Sequence, residues 1–570
     1  MTRLVIDPVT RVGGQLRVEV ELEDGVVSDA WVAGTMYRGL ERILEGRDAR
    51  DAWLMAQRIC GTCGPAHAIT SVRALENALG VTPTPNARVV RNLLAGLQLV
   101  VDEVSSFYLR QAFDWIDVTA ALRADPDATS ALARSLSDWP NSSAATFTSV
   151  RDRLAGVTSS DQPGLFTTAG PTHPGYRLGP EASLLVVAHY FEALDWRRKV
   201  LQVHTILGGK SPHIQTLVVG GMAIAPDWGG PARPVPGEHL WDVVRNAFSP
   251  LGEAGLGTIA QLLDEAKSFV EQVFLPDVLT TMASYREWGS IGQGIGHYLS
   301  FGELPGDGSD RPELALPRGR VMDRDIGRLI EVGAGGVAET TAHSWYVPSD
   351  DPGALVKPFD ATTEPRYAGP RPPYASLAGS DRYSWLKAPR YEDDPMEVGP
   401  LARLLVGSAA RNIAVQDALR KGITTLGVGG DALYSTLGRI VARAIEAGFV
   451  ADRLTGWLTD LRDNLASGDL AMTDLTVWDP AGWPADVHGF ALGESARGAI
   501  SHWITVHDGR IAAYEIVDAS TWNASPRDGL GRRGALEEAL IGTRVIDAGR
   551  PLEVIRTIHS FDPCLSCGVH

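Results

Sequence analysis

Two short segments carry the residues most able to do chemistry. Arg58-Ile59-Cys60-Gly61-Thr62-Cys63-Gly64-Pro65-Ala66-His67 and Asp562-Pro563-Cys564-Leu565-Ser566-Cys567-Gly568-Val569-His570 each hold a Cys-x-x-Cys pair, and the chain has no other cysteine. Two residues between thiols let both sulfurs turn toward one centre, so two pairs make one four-sulfur site. That soft donor set suits zinc, an iron-sulfur cluster, nickel or copper(I). Four Cys in 570 residues are not a disulfide framework of the small secreted kind. The plain reading of the spacing is a structural tetrahedral zinc, with an iron-sulfur cluster next. Two features count against a zinc staple. Such a staple fastens a local segment, whereas 500 residues lie between Cys63 and Cys564. The flanks also carry Arg58, His67, Asp562 and His570, which a zinc staple does not need.

The elements between the pairs must therefore bring the two chain ends together. Residues 1–35 alternate apolar and polar side chains, as in Leu16-Arg17-Val18-Glu19-Val20-Glu21-Leu22, and Asp24-Gly25 marks a hairpin. From Asn86, the apolar positions Val90, Leu94, Leu97, Val101, Val104 and Tyr108 recur in steps of four and three, predicting a long core helix after Pro85. A second long helix is expected over Glu181 to Leu207, stopped by Gly208-Gly209, and a third over Leu401 to Arg420. Ten Pro fall between Trp345 and Pro400 among Trp345, Tyr346, Phe359, Tyr367, Tyr374, Tyr383, Trp385 and Tyr391; such aromatic density predicts ordered, packed loops. The expectation is a mixed α+β fold, predominantly helical, with a long central helix bundle and peripheral β-hairpins or small sheets. One integrated unit spans 1–570: a β region over 1–35, a helical core over 36–345, Pro-rich loops over 346–400, and a helical and β region over 401–570.

Composition narrows the partners. With 44% hydrophobic residues and 15 Trp the chain folds, and its net charge of −17 disfavours nucleic acid and anionic membrane surfaces. The first residues leave no room for a signal peptide, and no apolar run is long enough to span a membrane.

The two Cys motifs at opposite ends of a chain this long resemble those of the large subunit of nickel-iron hydrogenases. The resemblance extends through Asp7-Pro8-Val9-Thr10-Arg11, Arg38-Gly39-Leu40-Glu41, Gly46-Arg47-Asp48, Gly208-Gly209-Lys210-Ser211-Pro212-His213, Glu397-Val398-Gly399-Pro400-Leu401-Ala402-Arg403, Ala496-Arg497-Gly498-Ala499 and Ser520-Thr521-Trp522-Asn523. It implies the fold of that subunit and heterolytic cleavage of H2, in the uptake direction. It implies that the four sulfurs hold nickel, with Cys60 and Cys564 as terminal ligands and Cys63 and Cys567 bridging to an iron that carries carbon monoxide and two cyanides. Arg497 and Ser520 would donate to the cyanides, Asp102 would position Arg497, and Asp562 would act as a further acid near the metals. His67 would hydrogen-bond a bridging sulfur, and Glu41, the Ile516 carbonyl and the His570 imidazole would hold a structural magnesium. Cys564 would accept the proton, with Arg497 as the competing candidate.

The same resemblance implies an iron-sulfur small subunit as partner, because no Cys is left here for a relay. It implies higher oligomers of such heterodimers, and a membrane electron acceptor such as a cytochrome or quinone. Export with the small subunit would make the protein membrane-associated or exported, and the alternative is cytoplasmic. Ending at His570 matches the form left after the family's carboxyl-terminal tail is removed. Several positions depart from the family and mark a divergent branch. Arg11-Val12-Gly13-Gly14-Gln15 lacks the glutamate credited with taking the proton from the terminal thiolate. Val101 and Glu103 replace flanking His, Ser211 replaces the first His of a His-Pro-His, and Ala496 replaces a Pro. The alternative from another class is a non-catalytic protein with a four-thiolate zinc or iron-sulfur staple. The related quinone-reducing respiratory subunit lacks both Cys pairs.

Overall fold

The computed structural model describes residues 2–167, 172–224, 226, 251–305, 314–347, 351, 353–361, 364–367, 369, 376–379 and 381–570. At the amino end, Thr2–Ile6 (β1), Leu16–Glu23 (β2) and Val26–Gly34 (β3) form an antiparallel sheet in that order. Asp24 and Gly25 both take positive φ, 52° and 77°, the twist a two-residue hairpin needs. Val18, Val20 and Leu22 face inward onto Leu536, Leu540, Val554, Ile558, Phe561 and Leu565 from the carboxyl end. The period-two apolar face at one end of the chain thus packs on the other end, and Arg17 and Glu19 on its opposite face are buried as well.

Leu40–Leu44 is a short helix, α1. Gly64–Leu79, α2, starts with Cys63 at its cap position and Pro65 in its first turn, where proline's missing N–H costs nothing. The expected core helix is Pro85–Ser105, α3, and its stripe of Val90, Leu94, Leu97, Val101 and Val104 is fully buried. Residues Ser106–Gln111 continue it with a wider turn that buries Tyr108.

The second predicted helix is broken: Pro180–Val200, α4, and Gln202–Gly208, α5, meet at Leu201, whose ψ is −4°. The turn brings His204 Nε2 to 2.9 Å from the Leu94 carbonyl on α3, a tertiary contact that periodicity does not register. Gly209, at φ 74°, provides the expected stop. Glu253–Phe269 forms α6. The third predicted helix is also two, Pro400–Ala409 (α7) and Ile413–Leu426 (α8). Arg411 turns left-handed at φ 61°, and Asn412 accepts the Val415 N–H at 3.2 Å as a fresh cap. Thr436–Ala466, α9, is the longest helix described and lies along α3. A Cβ on Gly96 of α3 would stand 3.0 Å from Trp457 of α9, so glycine permits this close crossing.

Asp486–Ser495 (β4), Gly498–His507 (β5) and Arg510–Val517 (β6) form a second antiparallel sheet in that order. The chain ends with Ala519–Asn523 (α10), Leu552–Ser560 (α11) and Leu565–Gly568 (α12). In the Pro-rich stretch, Trp345, Tyr346, Tyr383, Trp385 and Tyr391 are buried, Phe359 and Tyr367 are exposed, and Tyr374 lies outside the described residues. No described helix is long and apolar enough to cross a membrane.

Two features hold the ends in place. Leu565 N–H donates to the Gly13 carbonyl at 2.6 Å, and Gly14, at φ 78°, lies so close to Ser566 that a Cβ would come within 2.6 Å of its backbone nitrogen. Behind them, buried Arg403 of α7 donates to Glu446 of α9, to Glu494 of β4 at 2.6 Å each, and to the carbonyls of Ser495 and Ala496. Replacing Arg403 with Ala strands two buried carboxylates and should cost about 3–5 kcal/mol, read as a lower denaturation midpoint. Gly14→Ala places a side chain in a left-handed conformation, costing about 1–2 kcal/mol before the collision is counted. It should lower the same midpoint and speed proteolysis within 561–570; wild-type values for either variant would contradict these assignments.

Candidate metal centre

Each Cys pair is presented by the start of a helix, Cys63 at the cap of α2 and Cys564 at the cap of α12. The sulfurs are buried and mutually close: Cys60 to Cys564 is 3.8 Å, Cys63 to Cys567 3.5 Å, and Cys564 to Cys567 3.1 Å. Sulfurs each about 2.3 Å from one ion can be no more than about 4.6 Å apart, so these fit a shared ion. Thiols this crowded cannot all ionise unaided. Hydrogen bonds from Cys564 and Cys567 hold the Cys60 thiol well below its usual range. The Cys567 bond pulls Cys564 down as well, but Cys60 and burial outweigh it and push Cys564 up to about 12. Burial also raises Cys567. A soft cation removes that conflict, since a coordinating thiol is deprotonated outright. The donor set therefore fits a thiolate-bound metal.

Arg497 stands at the tip of the tight turn joining β4 to β5, where Ser495 pairs with Gly498. Its Nε donates to the Asp562 carbonyl at 2.9 Å and one terminal nitrogen lies 3.2 Å from the Asp562 carboxylate. Its other terminal nitrogen is buried without a partner, an N–H pair left for a ligand. Asp562 is gripped from the far side by Arg110 at 2.5 Å. Ser520 Oγ accepts the Cys564 N–H at 3.0 Å, and among the described residues no protein acceptor takes its own hydrogen.

Asp102 receives Gln98 Nε2 at 2.9 Å, and its second oxygen has no partner; burial lifts it to about 6. It lines a cavity of about 10 Å³ with Cys63, Gln98, Glu303, Glu494 and Ser495, room for about one water. The carboxylate that grips Arg497 is thus Asp562, while Asp102 acts on it only through its charge.

A ring nitrogen of His67 lies within 4.8 Å of the Cys63 and Cys567 sulfurs. Gly13 abuts the Cys564 thiol, where a Cβ would come 2.7 Å from its Sγ. His213, from the Gly208–His213 motif, reaches the Cys60 carbonyl at 3.0 Å.

Glu41, Ile516 and His570 also come together. Glu41 Oε1 lies 3.3 Å from His570 Nε2 and accepts the Ile516 N–H at 2.9 Å. Lys387 sits among Glu41, Glu339 and Glu515 at 3.5, 3.5 and 2.6 Å. Despite burial, Lys387 and His570 hold Glu41 well below the usual carboxylate range, whereas burial lifts Glu515 to about 8. Both oxygens of buried Glu339 lack a hydrogen bond. These carboxylates are oxygen donors of the kind a hard divalent cation takes.

Sequence reading missed Lys387, Glu339, Glu515, Arg110, Asp518, His502 and Tyr514. Lys387 lies in the Pro-rich stretch and Arg110 in the wider turn after α3, where no local spacing distinguishes them from surface charges. His502, next to Trp503 on an alternating strand, carried the one usable signal, a histidine at an inward position.

Comparison with known proteins agrees with this arrangement. The chain is 40% identical over 582 residues to the uptake hydrogenase large subunit of Rhizobium leguminosarum bv. viciae, covering 100% of this chain and 95% of that one. It is 40% identical over 584 residues to the hydrogenase-1 large chain of Escherichia coli K12, with the same coverage. Among solved structures, the reduced Ni-Fe-Se hydrogenase of Desulfovibrio vulgaris Hildenborough superimposes with a TM-score of 0.75 at 31% identity, covering 100% of both chains. The nickel-dependent hydrogenase family matches residues 38–570, and with the four sulfurs gathered at one centre the chain belongs to that family.

Proposed function

We propose that this chain is the catalytic subunit of a nickel-iron hydrogenase that oxidises H2 and passes the electrons to an iron-sulfur small subunit. The observation that carries the reading is the buried cluster of four sulfurs from both chain ends, linked by the contacts Cys60–Cys564, Cys564–Cys567 and Cys567–Cys63 at 3.1–3.8 Å, beside an arginine with an unpartnered N–H pair. Cys60 and Cys564 would hold the nickel as terminal ligands, and Cys63 and Cys567 would be shared with the iron. When bound, the nickel-iron pair supplies the Lewis acidity that polarises H2 and the capacity to take up its electrons.

The protein's own residues do the rest. Arg497 would present its free N–H pair to one cyanide and Ser520 its hydroxyl to the other. Asp562 and the cysteine sulfurs hold the Arg497 pKa up against burial, so it stays a cation and serves poorly as a base. Cys564 Sγ is then the better proton acceptor of the two, and the positive charge beside it moderates its basicity. With glycine at position 13, the loop along Cys564 offers no carboxylate to receive that proton next. Glu41, the Ile516 carbonyl and His570 would hold a magnesium ion, which would tie His570 to α1 and β6. All four cysteines are committed to the centre, so the electrons leave through the partner, and from it to a membrane acceptor such as a cytochrome or quinone. The relatives named as uptake hydrogenases support the direction of catalysis.

The assembled protein, purified with its small subunit, should contain nickel and iron and show infrared bands of carbon monoxide and cyanide where protein does not absorb. Zinc alone would favour the structural staple and end this reading. Arg497→Lys keeps the charge but loses the fork; H2 oxidation should fall about 10- to 100-fold with nickel and iron retained, and undiminished activity would contradict the role. Glu41→Gln should lower the magnesium content measured after dialysis, leaving nickel and iron in place.

A further inference from the structure

Arg497 keeps an N–H pair free beside the sulfurs although a carboxylate stands within reach. A buried guanidinium and a carboxylate ordinarily pair through two parallel hydrogen bonds, fork to fork. Arg497 meets Asp562 differently. Its Nε donates to the backbone carbonyl at 2.9 Å, one terminal nitrogen lies 3.2 Å from Oδ2, and the other has no partner. The reason lies on the second carboxylate oxygen: Asp562 Oδ1 accepts a terminal N–H of Arg110 at 2.5 Å. Arg110, 17% exposed, reaches in from the rim of the core to a carboxylate that is fully buried.

The wider turn after α3 is what aims Arg110 there. In an unbroken helix, Asp102 and Arg110 would project about 80° apart. The turn over Ser106–Gln111 instead bonds the Ala112 N–H to the Phe107 carbonyl, five residues back. One residue is thereby taken up without advancing the winding, and the angle falls to about 20°. Asp102 and Arg110 then share the face toward Arg497: Asp102 lines the small cavity with Ser495 and Ala496, and Arg110 holds Asp562. The turn itself is fixed from three sides. Tyr108 donates to Asp277 at 2.7 Å, Gln111 Nε2 to Ser106 Oγ at 2.8 Å across the turn, and Arg11 to the Arg110 carbonyl at 2.5 Å.

We propose that Arg110 is a positioning residue for Arg497: by occupying one oxygen of Asp562 it denies Arg497 the two-point pair and leaves the free Arg497 N–H pair aimed at the metal centre. Two guanidinium groups share one carboxylate, so neither can close its fork on it. Asp562 also sits at φ 50°, a left-handed conformation uncommon for a residue with a side chain. Arg497 on its carbonyl and Arg110 on its carboxylate pin it there. Without Arg110, Asp562 is free to turn both oxygens to Arg497, and the guanidinium withdraws from the sulfurs to meet them. Arg110 thus acts on the centre through Asp562 and Arg497.

The inference rests on the nickel-iron reading, and the test separates the two. Wild type, Arg110→Met, Arg110→Lys, Arg497→Lys and the combined Arg110→Met, Arg497→Lys variant are purified with the small subunit. Metal content, infrared bands and H2 oxidation are compared. Arg110→Met should keep nickel and iron, shift the cyanide bands and lower H2 oxidation about 10-fold. Arg110→Lys, whose ammonium still claims one oxygen, should stay near wild type. The combined variant should lose no more activity than Arg497→Lys alone, because both substitutions remove the same interaction. Wild-type bands and rates in Arg110→Met, or losses that multiply in the combined variant, would overturn the proposal, as would an Arg110→Lys variant no better than Arg110→Met. Should Arg110→Met lose its metals, its crystal structure decides: Arg497 seated on both oxygens of Asp562 supports the role, and an Arg497 placed as in wild type overturns it. A wild type without nickel and iron would overturn the metal reading, and this role with it.

Discussion

Four sulfurs have to be held in one buried cluster, linked by contacts of 3.1–3.8 Å, and the rest of the molecule is arranged around that constraint. As thiolates they repel strongly in a buried, weakly screened setting, so proximity has to come from the frame and from a cation. The frame is the meeting of the two chain ends. The inner face of the amino-terminal sheet packs on Leu536, Leu540, Ile558, Phe561 and Leu565, and the Gly13 carbonyl binds Leu565 N–H directly. Apolar burial brings the segments together, and one backbone bond sets their register next to Cys564.

Glycine makes that register possible at a chemical price. Gly13 and Gly14 let the amino-terminal loop lie against Cys564 and Ser566 at distances no side chain would permit. The same two residues deprive the loop of any group that could trade protons with the thiol. Close approach and a reactive side chain compete for one volume here, and close approach has won. Acidity near the sulfurs lies instead on the Cys63 side, where Asp102, Glu303 and Glu494 surround a cavity of about 10 Å³.

Buried cations work as struts between elements distant in sequence. Arg403 joins α7, α9 and β4, Arg497 joins the β4 to β5 turn to the segment before Cys564, and Lys387 joins the Pro-rich segment to α1 and β6. Each is fully desolvated, so its loss would strand carboxylates rather than merely delete a contact. The polar interior follows the metal centre and its flanks. The α3 and α9 packing behind it sets Gly96 against Trp457 between two polar contacts, Arg443 with Glu103 at 2.8 Å and Asn464 with Asn86 at 3.0 Å.

Much of this is legible along the chain. Two Cys-x-x-Cys pairs, a period-two run ending in Asp24-Gly25, and a stripe from Val90 to Val104 are spacings, and spacing is what local backbone geometry imposes on sequence. The cysteine pairs, the hairpin and the core helix were therefore visible without coordinates. Helix breaks at Leu201 and Arg411 were not, because tertiary contacts and a left-handed residue override a continuing apolar period. Nor was the partner of Arg497 visible, or the path from His67 through His502 to Tyr514. Arg497 and Asp562 lie 65 positions apart and His67 and His502 435, and no periodicity reaches that far. Which buried group meets which is decided by how sheets and helices stack, a three-dimensional outcome that only the folded chain contains.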